Sequence, residues 1–143
     1  MTETNEQLAT GSFLQKIPKP WGEETLYVPA GLPYAGKILF IKGGKRLSLQ
    51  YHNEKRETLC LFSGNVLLWL ENGSGEIEKI PMQLLYGYTV MPGRKHRLEA
   101  VEDSFVLEAS TPEAGNTVRV EDDYNRPTET EEIRKEKNRG WNG

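Results

Sequence analysis

The chain has 143 residues, 36% hydrophobic and 27% charged, with a formal net charge of -3 and one cysteine. That length suits one domain with a modest core. The slight acidity argues against nucleic acid as a partner, the lone Cys60 excludes a disulfide framework and fits a reducing cytoplasm, and no apolar run approaches a membrane span.

In chain order, residues 1–12 form a polar stretch without a charged-then-apolar leader pattern and read as a mobile arm. Pro18 and Pro20 make FLQKIPKP irregular. A short strand is expected at Thr25–Val28, then a stronger one at Tyr34–Lys42, apolar at every central position and so covered on both faces. Arg46–Tyr51 and Glu57–Phe62 follow, separated by the polar turn Asn53–Arg56. Ser63–Asn65 turns into Val66–Glu71, and Asn72–Gly75 is the clearest hairpin loop, leading to an edge strand at Glu76–Ile80. Tyr88–Met91, His96–Val101 and Ser104–Ser110 are short strands joined at Pro92–Gly93 and Glu102–Asp103, and Val118–Val120 adds an edge. Roughly eight or nine short strands at this spacing spell an antiparallel sandwich or barrel. The domain is set at residues 13–126. Residues 127–143 are a charged tail expected to be solvated, with a short helix capped by Thr128 or Thr130 as the other reading.

Chemistry concentrates between Gly44 and Gly64. Gln50 and His52, two residues apart, share one face of a strand, and Glu57 opens the next strand. The chain's other histidine, His96, follows the Pro92–Gly93 turn. If these residues face inward, strand parity carries Arg46 and Ser48 with them, and sets Leu59, Leu61, Leu98 and Ala100 as an apolar floor. Two imidazoles, one carboxylate and one amide oxygen suit zinc, iron, manganese, cobalt or nickel without choosing among them, and zinc is carried forward as the first expectation.

These residues resemble the first motif of the cupins. Gly44, Gln50, His52, Glu57 and Gly64 fall at its positions, with Gln50 where a histidine usually stands, and Pro92 to His96 is similar to the second motif. A narrower resemblance runs from about Lys19 to Arg126. KPWGEE, GKILFIKGGKRLSLQYH, PGRKHRLEAVED and VEDDYNR look like the cupin domain of type II mannose-6-phosphate isomerases, in its short standalone form. Two later histidines of that pattern are replaced here by Glu54 and Thr58.

The resemblance implies an all-β cupin (jelly-roll) barrel with the metal set Gln50, His52, Glu57 and His96, acting on a small sugar or sugar phosphate by aldose–ketose isomerisation. Glu57, Glu108 and Lys37 are the candidates for proton transfer. Lys37 and Arg46 would hold a phosphate or carboxylate, with Arg94 and Arg97 read as solvated. Tyr34, Tyr51, Tyr88 and Trp69 either pack or stack on a sugar ring, and Tyr34 is carried forward as substrate-binding. A homodimer through edge strands is expected. Rival readings on the same fold are a metal-dependent dioxygenase, a non-catalytic sugar-binding module and a metal-free epimerase.

Overall fold

The computed structural model describes residues 11–141, so the polar arm lies almost wholly outside them. Two antiparallel sheets face each other. One runs in the order β1 (Gln15–Lys19), β2 (Gly22–Leu26), β3 (Ala35–Ile41), β10 (Ser104–Ser110), β5 (Glu57–Ser63), β8 (Gly87–Val90). The other runs β11 (Thr117–Glu121), β4 (Leu49–His52), β9 (His96–Ala100), β6 (Val66–Glu71), β7 (Ile77–Pro81). Long crossovers in sequence order, such as β3 beside β10 and β4 beside β11, make this a jelly-roll arrangement rather than a simple meander.

Alternation explains why these segments are strands and which face each buries. In β5, Glu57, Leu59 and Leu61 point inward while Phe62 is exposed. In β6, Val66, Leu68 and Leu70 are buried, and Trp69 between them is not. The core gathers Leu39, Ile41, Leu59, Leu68, Leu98 and Val106 between the sheets. Each such side chain contributes about 1.5–3 kcal/mol by leaving water. The expected inward faces of β5 and β9 are therefore observed, with the ligand residues at one end and the apolar floor behind them.

Gly64 shows what the closing glycine of the first motif does. Its φ is +100°, and a Cβ there would stand 2.2 Å from Ser104 Oγ, so the β5–β6 turn could not close against β10 with a larger residue.

Three local expectations change. Gln15–Lys19 is a strand despite Pro18, because β1 is the sheet edge and pairs only with β2, where a missing N–H disrupts no second ladder. Arg46 does not face inward with Gln50 and His52. Leu47 and Ser48 lie outside the β4 ladder, the alternation breaks there, and Arg46 emerges on the outer side, over the Trp69 ring at 5.3 Å.

The tail also departs from expectation. Glu129 forms a backbone bridge with Thr117 and is 5% exposed, and Thr130 caps the short helix α1 (Glu131–Arg134), its hydroxyl accepting from the Ile133 N–H. Arg134 and Arg139 then reach back to Glu113 and Glu129. Ion pairing helps to seat the segment, because Arg134 and Arg139 meet Glu113 of the barrel and Glu129, which the backbone bridge ties to β11.

Candidate metal centre

Two turns bring the two motifs together. The Gly93 N–H donates to the His52 carbonyl at 2.8 Å, pinning the Pro92–Gly93 turn to the end of β4. Gln50 and His96 then sit opposite each other across β4 and β9. The four-residue turn Asn53–Arg56 carries the chain across to the facing sheet, where Glu57 begins β5.

At the meeting point Glu57 Oε1 lies 2.8 Å from His96 Nε2 and 3.3 Å from His52 Nε2. All three residues are buried. The other ring nitrogens are held from behind: His52 Nδ1 is 2.9 Å from Thr117 Oγ1, and His96 Nδ1 is 2.9 Å from the Arg94 carbonyl. A carbonyl can only accept, so His96 Nδ1 carries a hydrogen, and both Nε2 atoms are aimed at one point with the carboxylate. One ligand atom from each of His52, Glu57 and His96 falls within 4.8 Å of the others, so the group could hold a metal ion. Gln50 lines the same cavity, but its Oε1 accepts from Ser48 Oγ at 2.6 Å.

Burial would raise the Glu57 carboxyl, yet the Lys55 ammonium and the two imidazole hydrogen bonds hold it well below the usual carboxylate range. Burial lowers His52, outweighing its hydrogen bond to Glu57. His96 is also buried, but its tighter contact with Glu57 raises it. A donor set of two imidazole nitrogens and one ionised carboxylate fits a divalent metal.

Beside this group lies a buried ionic network. Lys55 Nζ is 2.9 Å from Glu108, 3.4 Å from Glu57 and 3.4 Å from Glu113. Lys37 pairs with Glu24 at 2.9 Å and with Glu113. Burial pushes the Glu108 carboxyl up to about 7, with Lys55 pulling down and Glu57 pushing up.

Gln50, His52, Glu57, His96, Lys37 and Glu108 all line one cavity of about 70 Å³. Arg46 and Tyr34 do not. Arg46 is bound by Asp123 at 2.7 and 2.8 Å on the outer side, and Tyr34 is 57% exposed in the β2–β3 connection. Arg97, read as solvated, is fully buried and spans from the Leu47 carbonyl to Glu121. The sequence reading missed Lys55, Glu113 and Arg119 in the cavity wall. Lys55 lies in the Asn53–Arg56 turn ahead of β5, where strand parity does not extend, and Glu113 sits in an irregular loop, so neither carries a periodic signal.

No known family pattern and no curated protein matches the chain, whereas solved structures do. Bacillus subtilis oxalate decarboxylase, whose Mn(II) centres are known, aligns with a TM-score of 0.60 at 14% identity, over 68% of this chain and 27% of that one. KdgF from Halomonas sp. aligns at 0.57 and 17% identity, over 71% of this chain and 89% of that one. The capsular polysaccharide assembling protein CapF of Staphylococcus aureus aligns at 0.59 and 15%, over 85% of this chain and 33% of that one. The chain has the cupin fold. The cupin barrel spans only about a third or less of the oxalate decarboxylase and CapF chains it matches. Among the described residues no helix of the chain is long and apolar enough to cross a membrane.

Proposed function

We propose that the chain is a metal-dependent cupin enzyme of the reducing cytoplasm, acting on a small sugar or sugar phosphate and interconverting aldose and ketose. The observation that carries this reading is the convergence in one cavity of three ligand atoms and a separate buried carboxyl, Glu108, poised at about 7. His52, Glu57 and His96 would hold the ion, with Gln50 as a fourth donor, and zinc or manganese suits that set. When bound, such an ion polarises the carbonyl and hydroxyl oxygens of the substrate.

The proton work belongs to Glu108. A carboxyl half-ionised near neutrality can take a proton from the carbon beside a carbonyl and return it to the neighbouring carbon. Lys55, 2.9 Å away, positions that carboxylate and keeps it from being neutral throughout the working range. Lys37 is engaged with Glu24 and Glu113, which makes it a holder of the wall rather than a base. The capsular polysaccharide role of CapF supports a carbohydrate ligand, by fold analogy alone. Exposed Phe62 and Phe105, on the outer side of the six-stranded sheet, support a homodimer, which light scattering would check.

The test is metal analysis of the purified protein followed by a screen of sugars and sugar phosphates in deuterated water. Turnover with deuterium incorporated at the carbon next to the carbonyl is expected. If no divalent metal binds at micromolar concentration, the metal reading falls. If metal binds and no sugar turns over, the isomerase reading falls and the metal centre stands.

A further inference from the structure

Among the described residues, the cations lining the metal cavity have acidic partners with one exception. Lys19 pairs with Glu24, Lys37 with Glu24 and Glu113, and Lys55 with Glu108. Arg97 pairs with Glu121, Arg126 with Asp122, and Arg139 with Glu113 and Glu129. Arg119 has none. Its Nη1 donates to the Pro127 carbonyl at 2.6 Å, and its Nε is buried without a hydrogen-bond partner. Burial, and then the nearby Arg126 guanidinium, hold its pKa below the ordinary arginine value, although Glu129, Asp122 and Glu24 pull the other way from beyond ion-pair distance. A guanidinium left this way carries a desolvation cost that an anion would remove.

Register places this group usefully. Arg119 is opposite Gln50 across β11 and β4, and Gln50 is opposite His96 across β4 and β9. The rung therefore sets Arg119 two strands from His96, about 10 Å between Cα atoms. A second cavity of about 230 Å³ lies on the far side. Arg119, Arg126 and Arg139 line both cavities, and Ile133 and Trp141 of the tail close the second, with Glu136 as the one carboxylate in its wall.

We propose that Arg119 anchors an anion subsite, binding the phosphate of a sugar phosphate or the carboxylate of a sugar acid whose other end lies at the metal centre. The assignment rests on reading the metal cavity as a sugar site. The anion would sit between β11 and the tail, beside the already paired Arg126 and Arg139, and take up the Arg119 Nε–H that has no partner within the protein. A planar guanidinium matches either anion bidentately. The ligand class is thereby narrowed from any small sugar to an anionic one.

Calorimetric titration of the full-length, metal-free protein tests this. The probes are inorganic phosphate, a hexose 6-phosphate, a hexuronic acid and the free hexose, each against wild type, Arg119→Gln and Arg119→Lys. Wild type is expected to bind one of the anionic sugars at least about tenfold more tightly than the free hexose, with Arg119→Gln abolishing that preference. Whether phosphate or carboxylate wins identifies the source of the anion. Arg119→Lys keeps charge without the fork and is expected to fall in between, which preserves the test if Arg119→Gln does not fold. Equal binding of charged and neutral sugars by wild type, or an undiminished preference in a folded Arg119 variant, overturns the subsite. Anion binding that depends on Arg119, without turnover in the metal-loaded protein, would sink the isomerase reading and leave the subsite standing.

Discussion

From the six-stranded sheet, Glu24, Lys37, Glu57 and Glu108 reach the cavity; from the five-stranded sheet come Gln50, His52, His96 and Arg119. The first wall carries three carboxylates and one ammonium and is paired with help from Lys55 of the adjoining turn: Lys37 stands opposite Glu108 across β3 and β10 and pairs with Glu24, and Lys55 pairs with Glu57 and Glu108. The second wall carries imidazoles, an amide and a guanidinium, with no acid among these four residues. Glu57 is the link, reaching from β5 to both histidines. A wall paired in this way holds its own shape. The second wall has imidazoles whose one acidic partner is Glu57 of the opposite sheet and a guanidinium with no acidic partner, which is why the proposed metal lies between the walls and the proposed anion against the second.

The severest way to break the comparison is to remove the link. Glu57→Ala leaves His96 and Lys55 short of a buried partner and is expected to lower stability by about 3–5 kcal/mol in urea denaturation. Metal affinity should drop by at least about 100-fold in the same variant. Wild-type metal affinity in Glu57→Ala would mean that no ion bridges the two sheets there.

Next comes the neutraliser of the acidic wall. Lys55→Met strips Glu108, Glu57 and Glu113 of their shared cation and should cost about 3 kcal/mol. It should also move the Glu108 ionisation, and with it the pH–rate profile, in the alkaline direction.

Glu108 itself gives a pH signature. Its folded pKa of about 7 lies above the ordinary 4.5, so between those values the folded protein holds a proton that the unfolded chain has released. Stability of the metal-free protein should therefore fall as pH rises from 4.5 towards 7 on account of this group. Glu108→Gln should lack that slope, which urea midpoints across the range would reveal. If Glu108 is the base, the rate in wild type rises through pH 7 and the variant loses turnover.

A gentler change sharpens the second wall. Thr117→Val removes the group behind His52 Nδ1 and should weaken metal binding by about tenfold with little loss of stability. Smallest of all, Arg46→Ala should cost less than about 1 kcal/mol and leave turnover unchanged, because its partially exposed pair with Asp123 lies outside the cavity. A large loss of activity there would restore Arg46 to the site.

Period-2 alternation carried the sequence reading where strands are regular. It reached His52, Glu57 and His96 and the leucine floor beneath them, because one wrong step in register would expose every one of those leucines. It did not extend to Arg46, where two residues leave the ladder. It also hid Arg119. In Val118–Val120 the valines look like the inward residues, but Val120 is 49% exposed and Arg119 lines the cavity. An edge strand beside a polar cavity can invert the usual polarity. Lys55 and Glu113 lie in a turn and a loop, where charge reads as solvation.

Local pattern thus decided the strands, the apolar floor and the ligand types, since each depends on residues within a few positions of one another. The charge pairing was decided in three dimensions. Lys37 meets Glu113 across 76 residues, His52 meets Thr117 across 65, and Arg139 of the tail folds back to Glu113. A buried charge is stabilised by whichever group stands nearest in space, and separation along the chain does not limit which group that is.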